Sequence, residues 1–226
     1  MFATPYNQRM RPEDTTPAAK AFPIAVLISG SGSTLKNILA LIGAGRLPVR
    51  VAGVIASRQC SGLDYAAEYG VPGAIVKRGK PFDATEFSAR ITVQLDQWQP
   101  RLVVFGGFLS LYLAPPRYPA INIHPALLPG FGGQGMYGDR VHEAVLASGT
   151  RVTGCTVHLV DDSYDTGPII AQRTVPVLDG DTVETLGARV RETERELYPE
   201  VIRWFAEERV VIADRRVTVK GRELRG

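Results

Sequence analysis

Short apolar and β-branched runs alternate with longer amphipathic stretches along most of the chain. Residues 24–29 are apolar almost without interruption, as a parallel strand buried on both faces requires. Residues 34–44 carry helical periodicity and stop at Gly45. A strand is predicted over 49–56, a helix over 62–69 closed by Gly70, and a short strand over 74–76. Asp83 followed by Glu86 is a capping-box pattern, which predicts a helix running to Trp98. Strands are predicted over 102–105 and 120–124. This β-α-β-α-β-α-β order predicts an α/β fold built on a doubly wound, mostly parallel sheet.

Beyond Pro125 the pattern changes. A glycine-rich loop spans 130–138, and a short helix is predicted over 141–147. Strands follow over 154–160 and 169–175, joined by a polar connection over 161–168. A long amphipathic helix is predicted over 185–207, and a small hairpin within 210–219. No linker divides the pattern, so a single domain is expected over 23–212. A flexible tail over 1–22, containing Pro5, Pro12 and Pro17, precedes it, and an extension over 213–226 follows.

The 226 residues suffice for one large α/β domain. Net charge is +3, from 26 basic and 23 acidic residues, too small a surplus to argue for a nucleic-acid partner. Arg215, Arg216, Lys220, Arg222 and Arg225 read as a solvated tail. Cys60 and Cys155 are scattered, as in a reducing cytoplasm. Neither lies in a CxxC pair and the histidines lack HExxH spacing, so no metal site is expected. No apolar run is long enough to span a membrane, and the first 22 residues lack a signal-peptide core.

Three places carry candidate chemistry. The first strand runs into Gly30-Ser31-Gly32-Ser33-Thr34 and then a helix. Free N–H groups at a helix start, with Ser33 and Thr34 hydroxyls, suit a phosphate. A plain turn capping the helix is the alternative, and the loop's place at the carboxyl end of the first strand favours the phosphate. On the strand over 120–124, Asn122 and His124 face one side. Such groups serve an oxyanion and a proton transfer, or a hydrogen-bonded structural histidine. On the long helix the apolar stripe is Leu186, Val190, Leu197, Val201 and Phe205, and Glu194 falls on it. That carboxylate either reaches water at the stripe edge or meets a partner.

Asn122-Ile123-His124-Pro125-Ala126-Leu127-Leu128-Pro129 resembles the N-x-H-P-[SA]-L-L-P signature of the folate-dependent formyltransferases. Asp165-Thr166-Gly167-Pro168-Ile169-Ile170 resembles that family's Asp-x-Gly-x-Ile element. Ser29-Gly30-Ser31-Gly32-Ser33-Thr34-Leu35 resembles the phosphate loop of its glycinamide ribonucleotide branch, as does the stretch from Ala188 through Glu194 to Tyr198-Pro199. The likeness spans roughly 24–210 in the expected order and implies a Rossmann-like formyltransferase fold. It implies transfer of formyl from 10-formyltetrahydrofolate, as co-substrate, to the amine of glycinamide ribonucleotide, with no metal. It makes Asn122 the oxyanion donor and His124 the general acid. Asp165, otherwise readable as a turn aspartate, raises the pKa of His124 and orders a water. Gly32, Ser33 and Thr34 take the acceptor phosphate, and Glu194 the ribose hydroxyls. Leu109, Ser110, Leu111 and Tyr112, with Asn122, form the folate side. Leu128–Pro129 is expected to be cis.

The likeness has gaps. Leu109 and Ser110 stand where many members have Met and a basic residue, and Thr85 where some carry arginine near the glutamyl tail. The loop over 130–137 is richer in glycine than in some members and is expected to move over the acceptor site. A formyltetrahydrofolate deformylase shares the signature but usually adds an N-terminal domain. A methionyl-tRNA formyltransferase would add an RNA-binding domain and leave the phosphate loop unexplained. A non-catalytic nucleotide-binding module would not need both His124 and Asp165. The expectation is a cytoplasmic enzyme, monomeric or homodimeric, that meets small molecules and neither nucleic acid nor membrane.

Overall fold

The computed structural model describes residues 21–221. Its elements in chain order are β1 (Phe22–Ile28), α1 (Ser33–Gly43), β2 (Val49–Ala56), α2 (Gly62–Glu68), β3 (Gly73–Ile75), α3 (Ala84–Trp98) and β4 (Leu102–Phe105). There follow β5 (Ala120–His124), α4 (Asp139–Ala147), β6 (Val152–Leu159), β7 (Ile169–Pro176), α5 (Val183–Ala206), β8 (Val210–Ala213) and β9 (Arg216–Val219). One sheet runs β3-β2-β1-β4-β5-β6-β7, with β8 and β9 as a separate hairpin. β1 to β5 pair in parallel, while β6 and β7 are antiparallel. The sheet is thus mostly parallel, as the alternating pattern predicts. Among the described residues no helix is long and apolar enough to cross a membrane.

The apolar run of β1 is explained by burial on both faces. Ile24, Val26 and Ile28 join one core layer with α1 and α5 residues such as Leu35, Leu186 and Val201. Ala25 and Leu27 join the other, with Phe87, Ile91 and Leu95 of α3. The order in which strands are added reverses between β1 and β4, and the carboxyl ends of these parallel strands lie side by side there. Gly106 N–H donates to Leu27 O at 2.8 Å, and Leu109 N–H to Ser29 Oγ at 3.2 Å. This switch point is where an open α/β sheet leaves a crevice for ligand.

Helix starts reveal where local pattern and structure part. Asp83 caps α3, accepting from Thr85 N at 2.7 Å and Glu86 N at 3.1 Å. Glu86 itself turns toward Arg90, 3.9 Å away, so only half of the expected box forms. A full box opens α5 instead, between Thr182 and Thr185. Threonine in the place usually held by Glu or Gln hid it, and the helix begins two residues earlier than the pattern suggests. Pro199 lies inside α5 and cannot donate to the Arg195 carbonyl. Asn37 of α1 donates to it instead, Nδ2 to O at 3.0 Å, tying the two helices together.

The C-terminal segment departs from the expected solvated tail. The hairpin β8–β9 runs across position 212, where the domain was expected to end, and β9 lies against β7. Arg215 at its turn donates to the Thr166 carbonyl at 2.5 Å and lies 3.6 Å from Asp161. Its guanidinium, though still largely exposed, thus reaches the 161–168 connection. Arg222 and Arg225, and the tail expected over 1–22 apart from Ala21 and Phe22, lie outside the described residues.

Gly167 sits in that same connection, pressed against the Leu159 backbone carbonyl with no room for a β-carbon. Gly167→Ala should therefore force β6 and the connection apart. We expect a loss of about 1–3 kcal/mol, the usual cost of overpacking, measured by denaturant unfolding. A variant as stable as the wild type would show that the connection yields freely.

Candidate active site

The carboxyl end of β5 is the centre of the site. In the antiparallel register Asn122 stands opposite His158, and His124 opposite Thr156. Directly opposed residues share a face, so all four side chains point into one layer. Thr156 is fully buried. Its hydroxyl donates to Ala126 O at 2.7 Å and accepts from Leu128 N at 3.0 Å. Gln172 adds bonds to Leu128 O and to the same hydroxyl. These contacts fix the turn that follows His124, where Leu128–Pro129 is cis.

His124 is only 2% exposed. Its Nε2 lies 2.8 Å from the Phe131 carbonyl, so Nε2–H donates there. Its Nδ1 faces Asp165 Oδ2 at 3.5 Å. Asp165 adopts a left-handed φ of 59° and accepts from Gly133 N–H at 3.0 Å. The other carboxylate oxygen lies 3.5 Å from Nε2 of His158. One carboxylate thus sits between two imidazoles. The glycine loop lies over this pair. Gly132 allows it, since a β-carbon there would come within 3.2 Å of the Asp165 side chain and collide with Leu128.

The electrostatics follow from burial. Burial pushes the pKa of His124 down, and the charge of Asp165 with the Phe131 carbonyl opposes it. The balance stays below the ordinary 6.5: Asp165 raises the pKa, as expected, and desolvation lowers it by more. Burial also pushes the Asp165 carboxyl up. Its contact with His158, the charge of His124 and the Gly133 N–H outweigh that and hold it below the usual carboxylate range. At neutral pH the pair is a neutral imidazole facing a carboxylate.

A second part of the cleft lies across β5. Ser33, Thr34, Asn37, Ile38, Ile123, Arg191, Glu194, Arg195, Tyr198 and Pro199 line it. α1 starts with Gly32 at φ 71° and no side-chain cap, so its first N–H groups stay available. Gly32 is obligatory, because a β-carbon would lie 2.6 Å from Gly62 Cα. Burial raises the Glu194 carboxyl to about 7, against the pull of Arg191 and Arg195. The cleft therefore offers free donors and two cations beside a carboxyl group in need of hydrogen-bond donors.

The formyl transferase family profile matches residues 22–202. The chain belongs to the formyl transferase family. A phosphoribosylglycinamide formyltransferase of Mycobacterium tuberculosis is 39% identical over 200 residues, covering 87% of this chain and 90% of that protein. A chloroplastic phosphoribosylglycinamide formyltransferase of Vigna unguiculata is also 39% identical, over 193 residues and 83% of this chain. The chain spans 62% of that plant protein's length. The crystal structure of glycinamide ribonucleotide transformylase 1 from Symbiobacterium toebii superposes with a TM-score of 0.80 at 41% identity. That match covers 88% of this chain and 94% of the other.

Within this formyl transferase, the structure brings Asn122, His124 and Asp165 together, and separately gathers Ser33, Thr34 and Glu194. The expected folate side is less uniform. Leu109 is 43% exposed and Leu111 half-buried, while Ser110 is buried. The Tyr112 side chain is fully buried, and its ring packs 6.2 Å from Phe105 in the α3-side core, which leaves its backbone to meet a ligand. An aromatic ring enclosed by that apolar layer presents nothing to a ligand. The sequence reading missed His158, Asn37, Arg191 and Arg195. Proline inside α5 was the available signal for Asn37. The two arginines flank Glu194 by three and one residues, but helical periodicity alone does not show that they share its cleft.

Asp165→Asn keeps the size of the side chain and removes its charge. The His124 pKa should then fall further below 6.5, because the group opposing desolvation is gone. An NMR titration of the ring protons reads this directly. The same His124 pKa in both proteins would refute the coupling.

Proposed function

We propose that the chain transfers the formyl group of 10-formyltetrahydrofolate to the amine of N1-(5-phospho-D-ribosyl)glycinamide. The products are formylglycinamide ribonucleotide and tetrahydrofolate, in purine biosynthesis in the cytoplasm. One observation carries this reading: the Asn122–His124–Asp165 cluster opens beside a cleft built for an anionic, hydroxylated acceptor. The names of the relatives at 39% identity support it.

The acceptor phosphate takes the free N–H groups of α1 with Ser33 and Thr34, in the field of Arg191 and Arg195. Its ribose hydroxyls donate to Glu194. The folate lies on the side of Leu109 and Leu111. The acceptor nitrogen attacks the formyl carbon, a C–N bond forms, and the carbonyl pair moves onto oxygen. Asn122 uses one N–H on His158 and has a second for that oxyanion. His124 turns its Nε2–H from the Phe131 carbonyl to the same oxygen, which requires the glycine loop to shift. The attacking nitrogen loses a proton and N10 gains one as the C–N10 bond breaks. Asp165 stabilises the imidazolium whenever His124 holds the extra proton.

Incubation with 10-formyltetrahydrofolate, with and without the glycinamide ribonucleotide, tests the assignment. Loss of formyl that depends on the acceptor is expected. Loss at the same rate without it would make water the acceptor and the chain a deformylase.

Two variants divide the site. His124→Ala should lower kcat by about 10²- to 10⁴-fold, the usual contribution of a general acid–base group, with the fold kept. Activity within a factor of two of wild type would sink the role. Glu194→Ala should raise KM for the acceptor by about tenfold or more, since a hydrogen bond to a charged group is worth roughly 1.5–3 kcal/mol. KM for the folate should change little. Steady-state kinetics varying each substrate reads both, and the reverse pattern would place Glu194 on the folate side.

A further inference from the structure

His158 is buried to 2% exposure at the middle of the site, yet no step of the reaction uses it. We propose that His158 is a positioning residue, which fixes the Asn122 amide in one of its two orientations. The inference rests on the formyl transfer proposed above and assigns a role that transfer does not itself require.

The argument starts from the ring's own hydrogen bonds. Nδ1 of His158 lies 2.8 Å from the carbonyl of Leu159, which accepts only. The ring proton therefore sits on Nδ1, and Nε2 presents a lone pair. Asn122 Nδ2 lies 3.1 Å from that lone pair. An amide turned the other way would set its carbonyl oxygen against the same lone pair, with no proton between them. Asparagine has a broad, roughly two-fold torsion at χ2, so an unconstrained Asn122 would visit both orientations. His158 removes the unproductive one. The remaining Asn122 N–H then has a fixed direction, as preorganised oxyanion stabilisation requires.

The cross-strand register places His158 directly opposite Asn122. Its Nε2, committed to the Asn122 amide, has no proton left for Asp165 at 3.5 Å, and that carboxylate takes its hydrogen bond from Gly133 N–H instead.

The test uses the full chain with His158→Ala and His158→Gln. Glutamine offers an amide oxygen that can accept from Asn122. We expect the alanine variant to lose about tenfold to a hundredfold in kcat, with both KM values within about twofold. The glutamine variant should recover part of that loss. A fall in stability alone does not move kcat at constant folded fraction. An unchanged kcat in the alanine variant, beside an active wild type, would overturn the proposal. An inactive wild type would instead speak against the transfer reaction. Nitrogen NMR of the folded wild type is independent of turnover: Nδ1 protonated and Nε2 bare at neutral pH is expected. A ring protonated at Nε2 alone would overturn the role whatever the kinetics. If the alanine variant does not fold, the glutamine variant decides, and KM changes without loss of kcat would count against positioning.

Discussion

The pairing of β5 with β6 is the constraint from which the site follows. β5 alone supplies Asn122 and His124 at the edge of the parallel part of the sheet. The antiparallel partner sets His158 against the first and Thr156 against the second. A slip of one residue in β6 would turn His158 and Thr156 away from the face that holds Asn122 and His124. It would also detach Thr156 from the turn at Ala126 and Leu128. Gly154 and Gly167 permit β7 and the connection before it to approach β6 closely. Each presses its Cα against a backbone carbonyl, of Arg173 and Leu159 respectively, where a side chain could not fit.

Around that ladder, the cost of burying polar groups is met in different ways in the two halves of the cleft. Asp165 accepts from the Gly133 N–H and stays ionised. His124 lacks enough compensation and stays neutral. Glu194 has cationic neighbours, yet burial raises its carboxyl to about 7. The difference separates His124 and Asp165, each hydrogen-bonded to the glycine loop, from a carboxyl beside cations near the start of α1.

Much of the fold was legible because it rests on local periodicity. The continuous apolar runs of β1, β2 and β4 can be satisfied only between two layers of helices. The stripe on α5 placed Glu194 inward without any tertiary knowledge. The motif around His124 named three residues that do converge. Other features were hidden. Tyr112 lay in a segment expected to meet a ligand, but whether an aromatic side chain faces cleft or core depends on the packing beneath it. The box that opens α5 used threonine in an unfamiliar place. The Arg195 carbonyl freed by Pro199 found Asn37 from another helix, 158 positions away in the chain.

Sequence by itself determined the class of fold, the order of its elements and the chemical types gathered at the strand ends, since these depend on composition and spacing along one segment at a time. Tertiary structure alone decided the partners. His158 became the neighbour of Asn122 through strand register, and Arg215 met the Asp165 connection through a hairpin folded back across β7. The protonation balance of His124 was decided there too, because desolvation depends on everything packed around the ring and not on the one charge the motif supplies.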